Sequence, residues 1–520
     1  AIGQAALTDL TSGINNTAVG HDVLRNTTTG SNNTALGSNA LDSNTTASNN
    51  TAIGKDALEA NTTGTANVAV GANALETNST GIRNVAVGRL ALDVNTTADN
   101  NTAIGYNTLG ENTTGHSNVA VGANALDANT TANHITAVGF DALTANTTGA
   151  QNVSVGAFSL DANTTGGSNT AVGFLALTAN TTANNNTALG NYALAANTTG
   201  TRNTAVGSNA LDANTTGNDN CAFGKHSLGS NTTASNNTAF GSSALALNTT
   251  GGQNVAVGAF ALDAHTTGND CTAVGFGALG ANTSGYQNVG IGKDSLRVNT
   301  TGNVNVSVGA FNLYNNTTGS GNVSIGDGAL LSNTTASNNT AVGRGALGQN
   351  TTGTRNTAVG PYSLDANTTG AYNNAFGYET LTSNTTGQEN VAFGNMAVKL
   401  NTTGNYVIGV GSYALYENTT GSSNTAIGYQ SLEKNTTASN NTAVGYQSLK
   451  ANTTGTNNTA VGANAGDANT TGNNNTAIGQ DALTDNTSGV DNTGCGVAAL
   501  YDNTTGVHNT GFGKDALREN

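Results

Sequence analysis

Twenty-seven asparagines at one fixed spacing are followed two positions later by Thr or Ser, among them Asn44, Asn61, Asn78, Asn95, Asn112, Asn129 and Asn146. Asn-x-Thr/Ser is the acceptor pattern for N-glycosylation, in which the side-chain amide nitrogen takes the sugar. These seven residues are therefore candidate glycosylation sites, and surface glycans are a candidate partner. The same asparagines support a second chemistry. Identical amides stacked at strand spacing hydrogen-bond along the stack as a ladder, which fixes register and satisfies the turn backbone. The ladder is the favoured expectation.

Other reactive residue types lack a partner at a usable spacing. The six histidines (His21, His116, His134, His226, His265, His508) fall in different repeats and mostly in variable slots, with no Ser/His/Asp or His/Glu constellation at a usable spacing. The three cysteines (Cys221, Cys271, Cys495) form neither a C-x-x-C pair nor an even disulfide framework. Aspartates recur at one slot (Asp42, Asp93, Asp127, Asp161, Asp212, Asp263, Asp365, Asp467), but that slot elsewhere holds Thr, Gly, Lys or Arg. Solvated turn charges explain it better than a calcium ladder. Adjacent Thr-Thr pairs diverge from one another, unlike the alternate threonines of an ice-binding strand. Exposed aromatics such as Tyr106, Phe140, Phe158 and Tyr192 are candidate sugar-stacking or partner contacts. The expectation is a chain without catalytic, cofactor or metal site, and not an enzyme.

What positions all of these residues is a repeat. A marker glycine, which most often closes an Ala-Val-Gly or Ala-Ile-Gly triplet, falls at Gly3, Gly20, Gly37 and onward to Gly513, 31 times with every spacing equal to 17. From that marker the consensus runs G-x-x-A-L-x-x-N-T-T-G-x-x-N-T-A-V. Recurrent Gly, Asn and Thr exclude helix, and the N-T-A-V segment alternates as a strand does. A second short strand is expected through x-A-L, and Asn-Thr-Thr-Gly reads as turn chemistry. One repeat is then one coil of an all-β protein, a β-solenoid of about 31 coils that would stack at roughly 4.8 Å each into an elongated rod. Residues 1–520 are expected to form a single solenoid domain cut from a longer chain.

Individual columns carry further expectations. Leu stands four residues after the marker in 29 of 31 repeats. Leu41, Leu58 and Leu75 should face Val70, Val87 and Ile104 across the core. The residue two before the marker is always Ala, Ser or Gly. If the flanking Val points inward, that small residue points outward, and its size limit implies a second copy packed on Ala52, Ala69 and Ala86. The alternative is a tight interior with the alanines inside.

Composition sets the outer limits. The net charge is −15 with no basic run, which argues against nucleic acid. No apolar stretch is long enough to span a membrane. The motif N-T-A-V-G-x-x-A-L-x-x-N-T-T-G resembles the repeats of tail-fibre-domain proteins from phages, large viruses and environmental bacteria, over all 520 residues. More distantly it is similar to the N-S-V-A-I-G repeats of YadA-like trimeric adhesin heads, whose coils are three residues shorter. The resemblance implies a homo-oligomeric fibre or filament shaft on a cell or virion surface. The runner-up is an adhesin whose repeats themselves bind glycans or ice.

Overall fold

The computed structural model describes residues 1–519. They fall into two units, Ala1–Ala259 and Phe260–Asn520, each a parallel β-solenoid of 17-residue coils. The first unit holds fifteen three-residue strands, β1 (Thr17–Val19) through β15 (Val255–Val257). The second holds fifteen more, β16 (Thr272–Val274) through β30 (Thr510–Phe512). Within each unit a strand pairs in parallel with the strand one coil away, in a register of 17: Val85, Ala86 and Val87 lie against Thr102, Ala103 and Ile104. Fifteen coils at about 4.8 Å make each stack roughly 70 Å long.

The rest of the coil is not strand, yet its backbone bonds along the same axis. In the coil that starts at Gly105, the Leu109 amide donates to Ala125 O (3.0 Å), Glu111 to Asp127 O (3.0 Å) and Thr113 to Thr130 O (3.0 Å). Asn107 donates the other way, to Arg89 O at 3.1 Å. The segment expected to be a second strand is therefore a turn, and the reason is its dihedral angles. Asn107 (φ 50°) and Leu109 (φ 56°) both sit in the left-handed region. A left-handed residue two positions before another folds the chain on itself and swings the adjacent positions 3 and 4 inward together. Left-handed Leu costs about 1–2 kcal/mol, which burial of its side chain, worth about 1.5–3 kcal/mol, offsets.

That fold reverses one expectation about the core. Leu41, Leu58 and Leu75 are buried as the Leu column, but Ala52, Ala69 and Ala86 are also fully buried, inside a single chain. Val70 and Val87 are half-exposed and Ile104 is 40% exposed, on the outside of the strand. Alternation along the strand holds, with the opposite phase. The size limit on the alanine column comes from the leucine of the same coil. At Gly290, which takes the alanine position, an added Cβ would stand 3.2 Å from Leu279 Cγ, so Ala just fits. The only larger residue in the column is Ser, at Ser154, Ser307 and Ser324, each with its hydroxyl bonded to a backbone carbonyl. Position 3 closes the same space: Ser295 Oγ donates to Ser307 Oγ at 2.7 Å across the interior. Ala52, Ala69 and Ala86 thus form no interchain face.

Two departures from the pattern share a coil. Val398 replaces the leucine where Gly409 replaces the alanine, and the Gly409 site lies against Val398 Cγ2. A β-branched side chain fills the space that the missing methyl leaves. The marker glycines are needed for a different reason. Gly88 has φ 140°, and a Cβ there would meet Gly105 O at 2.0 Å, inside the neighbouring coil's backbone.

Candidate functional site

The candidate acceptor asparagines line the interior, where the axial turns of the coil bring one amide above another. Asn112 Nδ2 donates to Asn95 Oδ1 at 3.0 Å and to Gly115 O at 2.9 Å. Asn129 Nδ2 then donates to Asn112 Oδ1 at 2.9 Å and to Ala132 O at 3.2 Å. The same pattern links Asn146 to Asn129, Asn95 to Asn78, Asn78 to Asn61 and Asn61 to Asn44. Asn44 ends this run on Thr27 Oγ1 at 3.2 Å. All seven are fully buried. The structure contradicts the glycosylation reading of Asn44, Asn61, Asn78, Asn95, Asn112, Asn129 and Asn146. A sugar would occupy the nitrogen whose hydrogens hold the ladder and would need volume the interior lacks.

A second asparagine column works differently. Asn101 Oδ1 accepts from the Asn118 backbone amide at 3.0 Å, and Asn118 Nδ2 donates to Ala132 O at 2.9 Å. Ala132 O therefore receives both ladders, which ties the turn carbonyl between them. One coil replaces both asparagines. His265 takes the first column, with Nε2 2.7 Å from Gly268 O and Nδ1 2.9 Å from Asn282 Nδ2. Cys271 takes the second, with Sγ 3.3 Å from Gly285 O. A larger ring beside a smaller thiol keeps the interior filled. Burial holds the His265 pKa below its ordinary value and pushes the Cys271 thiol up to about 11, so neither is poised for acid–base or nucleophilic work.

The outside divides into distinct columns. The first threonine of each Thr-Thr pair is used by the fold: Thr113 Oγ1 donates to Thr130 O at 3.0 Å. The second, such as Thr114, is exposed along the whole described chain, and its hydroxyl makes no hydrogen bond. Ser12, Ser284 and Ser488 are its only replacements. The hydroxyl persists even beside Leu10, Thr27 and His265, where no acceptor asparagine stands, so a sequon does not explain it.

Aspartates lie at the turn that follows Leu. Burial raises Asp93 to about 6, with the negative charges of Glu111 and Glu76 adding to the effect. Burial likewise raises Asp127, Asp263, Asp365 and Asp467. The described residues hold no group of three or more His, Cys, Asp or Glu side chains arranged around a common metal position. Aromatic rings gather in the slots after the marker. Phe140, Phe158, Phe174 and Tyr192 form an edge-to-face row with centroid spacings of 5.3, 6.3 and 5.8 Å. Tyr413, Tyr429 and Tyr446 form a shorter row in the second unit, edge-to-face between the first two rings and stacked between the last two.

Comparison with known proteins gives no matching family model and no matching curated relative. No helix among the described residues is long and apolar enough to cross a membrane.

Proposed function

We propose that this chain is the shaft of a fibre or filament on a cell or virion surface, a non-catalytic spacer made of stacked 17-residue coils. The observation that carries the reading is the use to which its polar groups are put. The buried asparagines, which look like the richest chemical resource in the sequence, are spent on axial ladders, and most coils repeat the same interior. Surface slots vary in charge and size from coil to coil, as suits a part whose task is to extend. Fifteen Lys and Arg among 520 residues, on a backbone bonded along its axis, leave few openings for trypsin-like proteases. The chain should survive trypsin under native conditions, appear elongated in electron micrographs, and stay inert on a glycan array. Rapid digestion to small peptides or compact particles would remove the reading.

One observation favours a second reading, in which the repeats bind surface glycans. The Phe140–Phe158–Phe174–Tyr192 row presents rings to solvent, with Phe140 48% exposed. Sugar faces stack on such rings. Array signal that disappears in Phe140→Ala and Phe174→Ala would establish it.

A further inference from the structure

The outer face of the strands is uncharged from end to end. In each coil the two outward strand residues flank the buried alanine, as Thr102 and Ile104 flank Ala103. The outer residue nearer the marker glycine is Val, Ile, Leu, Phe or Cys in all thirty strands, and the other is Thr, Val, Ile, Cys or Asn. No Asp, Glu, Lys or Arg enters either column, although the chain carries 45 of them. Many of these apolar side chains are open to solvent: Leu36 47%, Leu189 46%, Phe240 54% and Phe393 57%. The strand amides and carbonyls bond along the axis, so the face offers the methyls and rings of one apolar column beside a second column that is Thr in 18 of the thirty strands and mostly Val in the rest.

We propose that a second copy of this chain packs on this strand face. The proposal rests on the shaft reading and names the surface by which shafts associate. Its area is adequate: about 10 Å wide by roughly 70 Å per unit gives around 700 Å², against the ~800 Å² per partner of a standard stable interface. A contiguous apolar patch above a few hundred Å² marks an interaction surface. Two further features select the occupant. A partner that meets every coil must repeat at the coil spacing, and a second copy has that repeat by construction. A net charge of −15 disfavours contact between copies through the charged surface slots, and this face holds no charge. The strand faces therefore meet in an isologous, face-to-face pair.

Light scattering and sedimentation on the full chain test this, with two triple variants. Val87→Lys, Ile104→Lys and Val121→Lys put ammonium groups on the face. Val94→Lys, Ala128→Lys and Ala145→Lys put the same charges in a slot where Lys434 and Glu111 already occur. The native chain should associate at micromolar concentration. The face variant should dissociate at least about 100-fold more readily, because an unpaired charge would be buried. The control should match the native chain. Should the lysines unfold the coils, the isosteric Val87→Thr, Val121→Thr and Val138→Thr variant should weaken association with unchanged circular dichroism. A monomeric native chain, a face variant as associated as the native chain, or a control that dissociates equally overturns the proposal. So does a monomeric chain that inhibits ice recrystallisation, which would assign the face to ice. Micrographs of the same samples separate the two claims: unpaired elongated particles leave the shaft reading standing, and compact ones remove it whatever the mass.

Discussion

Replacing Asn112 with Ala should destabilise its part of the first unit by about 3 kcal/mol. The side chain makes three buried hydrogen bonds, donating to Asn95 Oδ1 and Gly115 O and accepting from Asn129 Nδ2. Its loss does not strand all three partners. Gly115 O still accepts from Asn101 Nδ2 at 2.9 Å, and Asn129 Nδ2 still donates to Ala132 O. Asn95 Oδ1 is left with no donor and Asn129 Nδ2 with one unused hydrogen. An unsatisfied buried group costs about 1–3 kcal/mol, so two give about 2–6 kcal/mol. A value of about 3 kcal/mol, in the lower part of that range, is expected because Asn129 Nδ2 keeps its other bond. Solenoid coils open locally, so the readout is hydrogen exchange over residues 95–132, expected to quicken by about 100-fold near the substitution and little two coils away. Asn112→His should cost as much or more alone, since the ring exceeds the space. With Asn118→Cys added, as His265 pairs with Cys271, it should regain much of the loss. Exchange unchanged in Asn112→Ala, or equal in the single and double variants, would refute the ladder and its compensation.

Other predictions follow from the same interior. Ala103→Leu should destabilise by 3 kcal/mol or more, roughly the upper cost of overpacking, while Ile104→Thr on the outer face should stay within about 1 kcal/mol; paired thermal melts compare them. Gly88→Ala should prevent normal folding, since its Cβ would enter the Gly105 carbonyl, and circular dichroism reads the loss. Because burial raises Asp93 to about 6, the folded chain holds that proton more tightly than the unfolded one does. Stability should therefore fall as pH rises from about 4 to about 6 and stay low above. Asp93→Asn should flatten that slope and raise the melting temperature at pH 7.

The period, the marker glycine, the Leu column and both asparagine ladders were legible because each is a residue type repeated at one slot. The phase of the strand was not. Alternation says that Ala103 and Ile104 point opposite ways, and the habit of placing larger apolar residues inside assigns Ile104 to the core. The deciding fact lies elsewhere in the coil, where positions 3 and 4 both turn inward and leave room across the interior for a methyl or at most a serine hydroxymethyl. That turn is hard to read because Leu109 is left-handed, a conformation Leu rarely adopts. A signal was present two residues earlier, where Asn39, Asp56, Asn73 and Asn107 favour that region. The glycosylation candidates failed for a related reason: the sequon describes residue types, and burial of Asn112 follows from its place in the stack.

Electron cryo-microscopy of the native chain tests the central claim most directly. The coils should rise by about 4.8 Å per 17 residues, with Leu, Ala and both Asn columns inside and Val, Ile and Phe outside. A map in which the Val and Ile columns face inward and the alanines lie on the surface would contradict it.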